Sequence, residues 1–265
     1  MQIHWLIEVG VFPETASRVC AAIEARGDRW TRYVDGIAEA ELPPRDAYVV
    51  FWGSLAAAYR DRVAASWRPG AIGDIEQFRV ASYAPRLGPL FVNTDAVTTS
   101  VRGLVENRRD VLAMLHQPRR VFVRPDSALK PFAGRVLDAA AIDRAALDYG
   151  FYYDDDALPI VVAPARQIQR EWRVVVAEGR VVTGCAYTAE RRGAEEALPV
   201  PVREIAREVS NLDWQPAPIY IVDVAEVDHQ VRVLELNPFS GADLYRCDPH
   251  AVVEVVSRVS ERLIA

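Results

Sequence analysis

Cysteine is scarce in this 265-residue chain: there are three, Cys20, Cys185 and Cys247. They lie far apart, form no CxxC pair and supply no disulfide framework, which fits a reducing compartment. The four histidines, His4, His116, His229 and His250, are equally scattered, and none has zinc-type spacing. No stretch approaches the run of about 18 apolar residues that a membrane helix needs. The N-terminus MQIHWLIEVG has no positive leader before a long apolar core, so no signal peptide is expected. These absences predict a cytoplasmic protein with no membrane partner. Positive charge is in short supply too: 31 basic against 37 acidic residues leave a net charge of −6. A nucleic-acid binder needs a field of Lys and Arg to displace counterions from phosphates. The basic residues here are spread out, so nucleic acid is not expected as the main partner. The usual nucleotide fingerprints, GxGxxG and GxxxxGK[ST], are absent, as is any internal repeat.

What is present reads first as alternating strands and helices. Ile3–Val9 is a short apolar strand. Pro13 and Glu14 open a helix with Ala16, Val19, Cys20 and Ile23 on one stripe, ending near Gly27. Cys20 on that stripe is a core residue. Ala47–Trp52 is a buried strand, followed by Gly53, Ser54 and a helix to about Trp67. A strand near Pro89–Val92 and a long helix from Thr99 to about Leu115 complete a small α/β layer domain over residues 1–118.

The texture changes after Gln117-Pro118, and residues 119–265 form a second region with longer, alternating strands. Trp172–Ala177 and Arg180–Cys185 flank the two-residue turn Glu178-Gly179. Tyr220–Val227 and Val231–Asn237 flank Asp228-His229-Gln230. Residues Thr188–Leu198 read as a mobile surface loop, and Asp248-Pro249 starts a C-terminal helix.

Three features carry chemistry. In the last hairpin, positions 223 and 235 are equidistant from His229, so symmetric pairing sets Asp223 opposite Glu235. Like charges directly opposite are destabilising, and a cation between them would relieve the repulsion. Asn237, two residues on, shares the face of Glu235. Two carboxylates and an amide oxygen form a hard oxygen set that suits Mg2+. A solvated hairpin face with ordinary charges is the alternative. Against it, Glu235 stands between Leu234 and Leu236 in an otherwise apolar strand, next to the turn-forming Asn237-Pro238-Phe239-Ser240-Gly241. The second feature is VFVRPDSALKPFAG, Val121 to Gly134, where Arg124 ends a strand and Lys130 follows in a loop. An Arg fork and a mobile Lys can cradle a polyphosphate, or can both be solvated at a strand end. The third is EWRVVVAEGRVVTGCAY, Glu171 to Tyr187. Glu171 and Arg173 share one strand face and either face a ligand or pair with neighbours.

In this order the three features resemble the ATP-grasp superfamily, and most of all its short branch named for one arginine and two lysines. The shared residues are Phe122, Arg124, Pro125, Lys130, Phe132 and Gly134, then Glu171, Arg173, Gly179, Gly184 and Tyr187. The last group is Asp223 and Glu235 to Ser240 with Leu244 and Tyr245. Over residues 1–120 the likeness thins to Val49–Ser54. The resemblance implies an α+β architecture, an ATP-grasp fold with nucleotide between two antiparallel β layers, preceded by the small α/β domain. It implies ATP and Mg2+ as cofactors. Arg124 and Lys130 would bind phosphates, and Ile160–Pro164 would be the hinge against adenine, with backbone groups of Val161, Val162 and Ala163. Glu171 would hold ribose hydroxyls and Arg173 the terminal or acyl phosphate. Arg173 and Lys130 would be catalytic, and Asp223, Glu235 and Asn237 would bind the metal. Many members end the hinge on an acidic residue where this chain has Ala163-Pro164. The usual reaction joins a small-molecule carboxylate, such as an amino acid or peptide, to an amine. A eukaryotic relative of the branch implies a second reading, an ATP-binding assembly chaperone without ligase turnover. A nucleic-acid ligase is a third, which the acidic balance disfavours.

Overall fold

A computed structural model describes residues 2–60, 63–147, 156–187 and 197–265. The N-terminal unit is a four-stranded parallel sheet, β1 (His4–Ile7), β2 (Arg29–Arg32), β3 (Tyr48–Trp52) and β4 (Arg68–Gly70), in the order β2-β1-β3-β4. Helix α1 (Pro13–Arg26) forms where expected. Proline opens it, and Gly27 closes it at φ 86° in the left-handed region, where a residue without Cβ is least strained. Its stripe of Ala16, Val19, Cys20 and Ile23 is buried.

Two antiparallel sheets follow. One is β5 (Val97–Ser100), β6 (Arg120–Pro125), β7 (Arg135–Asp138) and β8 (Pro159–Pro164), in the order β5-β8-β6-β7. Strand β5 comes from before Gln117-Pro118. The other is β9 (Ile168–Ala177), β10 (Arg180–Tyr187), β11 (Ile219–Val227) and β12 (Gln230–Pro238), in the order β10-β9-β11-β12. Period-2 alternation splits this last sheet between two cores. Tyr220, Val222 and Val224 pack on one face with Trp172 and Val174, while Ile219, Ile221 and Val175 cluster with Trp5 and Trp52 of the N-terminal sheet. Helix α6 (Pro249–Ile264) joins the latter cluster through Val252, Val255, Val256 and Val259. Its N-cap is Asp248, which accepts from the His250 and Ala251 amides.

Several expectations need correction. The stretch after Ser54 is a short π turn over Ala56–Arg60 and a 3-10 turn over Val63–Ser66 rather than one helix. Pro89–Val92 is not a strand: Gly88–Leu90 is a 3-10 turn, and only Phe91 bridges to Val233. The long helix is β5 followed by α3 (Val101–Glu106) and α4 (Arg108–Met114), broken at Asn107. β-branched Val97, Thr98 and Thr99 favour the strand, and Ser100 caps α3 by accepting from the Gly103 amide. The final hairpin turns on two residues, Asp228 and His229, at φ 51° and 60°, not on three. Its register nevertheless puts Asp223 opposite Glu235. Val224 pairs with Val233, and a bulge at Leu234 shifts the next pair to Asp223 with Glu235. The expected loop at Thr188–Leu198 lies outside the described residues over 188–196. No described helix is long and apolar enough to cross a membrane.

Candidate functional site

Three neighbouring strands put charged residues in one row. Arg173 on β9 is the register partner of Asp223 on β11, and Asp223 is the partner of Glu235 on β12. Asp223 and Arg173 are both buried and bonded twice: Nε to Oδ1 at 2.8 Å and Nη2 to Oδ2 at 2.7 Å. The third bond of Arg173 goes from Nη1 to the Asp243 carbonyl at 2.6 Å. Burial alone would lower the Arg173 pKa, but the Asp223 charge raises it. The rings of Tyr245 and Tyr187 lie over its guanidinium at 4.3 and 5.6 Å.

Glu235 takes its partners from the other antiparallel sheet. Arg120, Phe122 and Arg124 alternate with buried Val121, Val123 and Pro125 along β6, so Arg124 reaches across and donates Nη2 to Glu235 Oε1. Lys130 follows in the loop with φ 49°. Its Nζ lies 3.0 Å from Glu235 Oε2 and 2.9 Å from Asn237 Oδ1. Asn237 in turn donates Nδ2 to Asp223 Oδ2 at 2.9 Å. Burial would push the Glu235 carboxyl up, but Arg124 and then Lys130 outweigh it and hold the pKa down to about 2.

The expected like-charge repulsion between Asp223 and Glu235 is therefore absent. Each carboxylate has its own cation, Arg173 or Arg124 with Lys130, because strands from two sheets converge here. Of the oxygens expected to hold a metal, those of Glu235 and Asn237 meet at Lys130, which serves there as a stand-in cation, while both Asp223 oxygens accept from Arg173. That donor set fits a hard divalent ion. Among the described residues no cluster of three or more His, Cys, Asp or Glu could hold a metal, and the candidate set has two carboxylates and one amide.

Glu171 stands two residues before Arg173 on β9 and accepts from the Tyr187 hydroxyl at 2.8 Å. Burial raises its pKa, opposed by that hydrogen bond. Val161 and Val162 lie mid-sheet with strand neighbours on both sides, β5 and β6. Their backbone groups are thus committed to the ladders, whereas Ala163, beyond the end of β5, pairs only with Phe122. Val161 is the partner of Arg124, so the expected hinge and the cationic strand are adjacent.

Sequence reasoning missed the support of this row. Tyr187 and Tyr245 had been named without a role: both rings lie over Arg173, Tyr187 from the partner strand of the same hairpin and Tyr245 from the segment after β12. Asp126 is buried and holds the loop entrance by accepting from Arg79 Nη2 at 3.0 Å and the Ala81 amide at 3.1 Å. The FWGS stretch also has a place: the Gly53 amide donates to the Ser240 carbonyl and Trp52 Nε1 to the Ala242 carbonyl. A Cβ on Gly241 would lie 2.2 Å from Leu55 Cδ2, so a larger residue there requires the Leu55 side chain to move. One composition signal was overlooked: Lys130 is the only lysine in the chain.

A family model for the ATP-grasp domain, the second family of its clade, matches residues 101–255. Among solved structures, the chain is similar to the D-cycloserine synthetase DcsG at 15% identity and a TM-score of 0.67, covering 98% of this chain and 99% of that one. A RimK domain ATP-grasp protein from Sphaerobacter thermophilus matches at 15% identity and 0.63, covering 99% and 100%. The D-alanine–D-alanine ligase from Bacillus anthracis matches at 11% identity and 0.61, covering 99% of both chains. At these identities the likeness shows the fold, which is ATP-grasp and α+β. No curated protein matches the sequence.

Proposed function

Because the chain belongs to this ATP-grasp domain family, we propose that it is an ATP-dependent carboxylate–amine ligase acting through an acyl phosphate. ATP-grasp enzymes use ATP and Mg2+. The observation that carries the reading is the linked row Arg124–Glu235–Lys130–Asn237–Asp223, in which an ammonium stands among oxygen-bearing side chains.

We assign the row as follows. Asp223, Glu235 and Asn237 hold Mg2+. When bound, the ion stabilises charge on the transferring phosphoryl group. Arg124 and Lys130 bind phosphate oxygens, Arg124 as a fork and Lys130 as a mobile point charge. Arg173 has spent three of its five N–H groups on Asp223 and the Asp243 carbonyl, and the two that remain orient the terminal or acyl phosphate. Glu171 holds the ribose hydroxyls, with Tyr187 fixing its carboxylate. Val161 and Val162 form the apolar floor of the hinge, and the backbone contact to adenine falls at Ala163. A substrate carboxylate oxygen takes the γ-phosphoryl group and ADP departs. The amine then attacks the acyl carbon and phosphate leaves. No protein nucleophile is required.

We further place the chain in the short branch named for one arginine and two lysines. With Lys130 as its only lysine, no second lysine contributes here, and the phosphates are held by Arg124, Lys130 and Arg173. The likeness to a D-alanine–D-alanine ligase supports an amino acid or peptide as a substrate. The test is an ATP-to-ADP assay against paired amino acids and small acids, with mass detection of any new amide. ADP formation only when carboxylate and amine are both present, together with the amide mass, supports the reading. ADP formation that no carboxylate or amine affects contradicts it.

A further inference from the structure

Three cysteines that lie far apart in the sequence become a pair and a single residue in the fold. Cys185 on β10 and Cys247, 62 residues further on, have their sulfurs 3.7 Å apart, with Cys247 donating. Both are buried free thiols, and none of the roles assigned above uses either sulfur. Both also adjoin the residue at the centre of the charged row. Cys185 is the register partner of Arg173, and the Cys247 thiol reaches the Arg173 carbonyl at 3.8 Å. Cys20 is the contrast: it packs in the stripe of α1, and burial pushes its thiol up to about 11.

The sulfur pair is one of two rungs between the same two segments. Tyr187 lies two residues after Cys185 and shares its face of β10, and Tyr245 lies two residues before Cys247. The two rings are 5.0 Å apart and both lie over the Arg173 guanidinium. Asp243, whose carbonyl accepts from Arg173, belongs to the same segment as Cys247. Strand β10 is an edge strand with one neighbour, β9. Cys247 sits between exposed Arg246 and Asp248, so local opening of a short segment bares it. The bond from Cys247 holds the Cys185 thiol below its ordinary range against burial, and the same bond pushes Cys247 up. Cys185 is therefore the better nucleophile of the two.

We propose that Cys185 and Cys247 are a redox modification site, which a peroxide closes into a disulfide that shifts the tyrosine pair over Arg173. The Cys185 sulfur attacks one peroxide oxygen. An S–O bond forms, the O–O bond breaks, and the second oxygen leaves as water with the Cys185 proton. The Cys247 sulfur then attacks the sulfenic acid. The S–S bond forms, the S–O bond breaks, and the hydroxyl leaves as a second water with the Cys247 proton. Two thiols are oxidised and one peroxide is reduced to two waters. A thiol reductant reverses the change by exchange. Closing a 3.7 Å contact to a bond of about 2.05 Å draws the two sulfurs together by about 1.7 Å. Tyr187 and Tyr245, two residues from either sulfur, move with them, and Arg173 loses its fixed position. The modification itself needs no ligase activity; its consequence for turnover rests on the ligase reading.

The test treats the whole chain with hydrogen peroxide, then counts remaining thiols under denaturing conditions and maps links by protease digestion and mass spectrometry. Two of the three thiols should disappear, with a mass lower by two hydrogens and a peptide joining Cys185 to Cys247 within one chain. A thiol reductant should restore all three. Cys20→Ser should form the same link, and Cys185→Ala should form none. Turnover should fall by about tenfold or more on oxidation, as expected when a positioned group shifts by about 1 Å, and should return on reduction. Cys185→Ala should keep its own turnover through the same treatment. Retention of all three thiols, a link through Cys20 or to a second chain, or oxidation that ends at a sulfinic acid overturns the proposal. So does a complete disulfide that leaves turnover unchanged. If the reduced protein turns over no carboxylate and amine, the ligase reading fails, and the linked peptide from the wild type alone supports or overturns the modification site.

Discussion

At the scale of the residue, Glu235 decides the most. Its side chain is 15% exposed and that of Arg124 13%, so their pairing is only weakly screened. Replacing Glu235 with Gln leaves Arg124 and Lys130 facing a neutral group. The cost should be about 3 kcal/mol in urea denaturation at neutral pH, mostly from stranding Arg124. The same pair sets an acid limb. The folded-state pKa of Glu235 is held to about 2 against an ordinary 4.5. A depressed carboxylate pKa contributes stability that is present in full above the unfolded value and lost as pH falls through the folded one. The contribution, about 3 kcal/mol, should therefore fade between about pH 4.5 and 2, and Glu235→Gln should lack that fading. Equal stability of the two proteins at neutral pH would show that the pair contributes nothing. The carboxylates and the amide were legible in the sequence because alternation along a strand assigns their face. Their cation partners were not, because Arg124 on another sheet and Lys130 in the loop after it lie more than a hundred residues away in the chain.

At the scale of the element, the sheet built from β9 to β12 was the clearest part of the sequence. Glu178-Gly179 and the alternation on either side marked one hairpin, and the turn residues take the left-handed conformations such turns require. The last hairpin was legible only in outcome. A three-residue turn and a two-residue turn followed by a bulge both pair Asp223 with Glu235, and the chain uses the second. The helix over residues 99–115 was misread because apolar spacing continues through Asn107, where the structure breaks into two short helices. Gly184 connects sheet geometry to the site. A Cβ there would lie 2.8 Å from the Arg173 carbonyl oxygen and 2.7 Å from Leu198 Cδ1. The first contact is with backbone and cannot rotate away. Gly184→Ala should push β10 from β9 beside Arg173, costing about 1–3 kcal/mol as overpacking, and should lower ligase turnover. A variant with wild-type melting and turnover would mean that the sheet absorbs the extra methyl group without moving Arg173.

At the scale of the whole molecule, the N-terminal sheet and the sheet of β9 to β12 share one core. Trp5, Ile7 and Trp52 pack in the same cluster as Ile221, Phe239, Leu244 and Val256. Each large apolar side chain stripped of that cover forfeits about 1.5–3 kcal/mol, a large fraction of the stability of any domain. Residues 119–265 expressed alone should therefore show no cooperative thermal transition, as read by near-ultraviolet circular dichroism. A sharp transition in that fragment would show that the second region carries a sufficient core of its own. The sequence suggested two regions divided near Gln117-Pro118; it could not show the shared core, because that depends on which faces meet. The site sits where these units converge, and its central claim is that Asp223, Glu235 and Asn237 hold the Mg2+ that accompanies ATP. The most direct test is thermal stabilisation by ATP with and without Mg2+, in the wild type and in Glu235→Gln. A ligand at 100 times its Kd adds about 2.7 kcal/mol, well within detection. The account predicts a Mg2+-dependent gain in the wild type that Glu235→Gln loses. A gain that is the same without Mg2+, or a Mg2+-dependent gain that Glu235→Gln keeps in full, would contradict it.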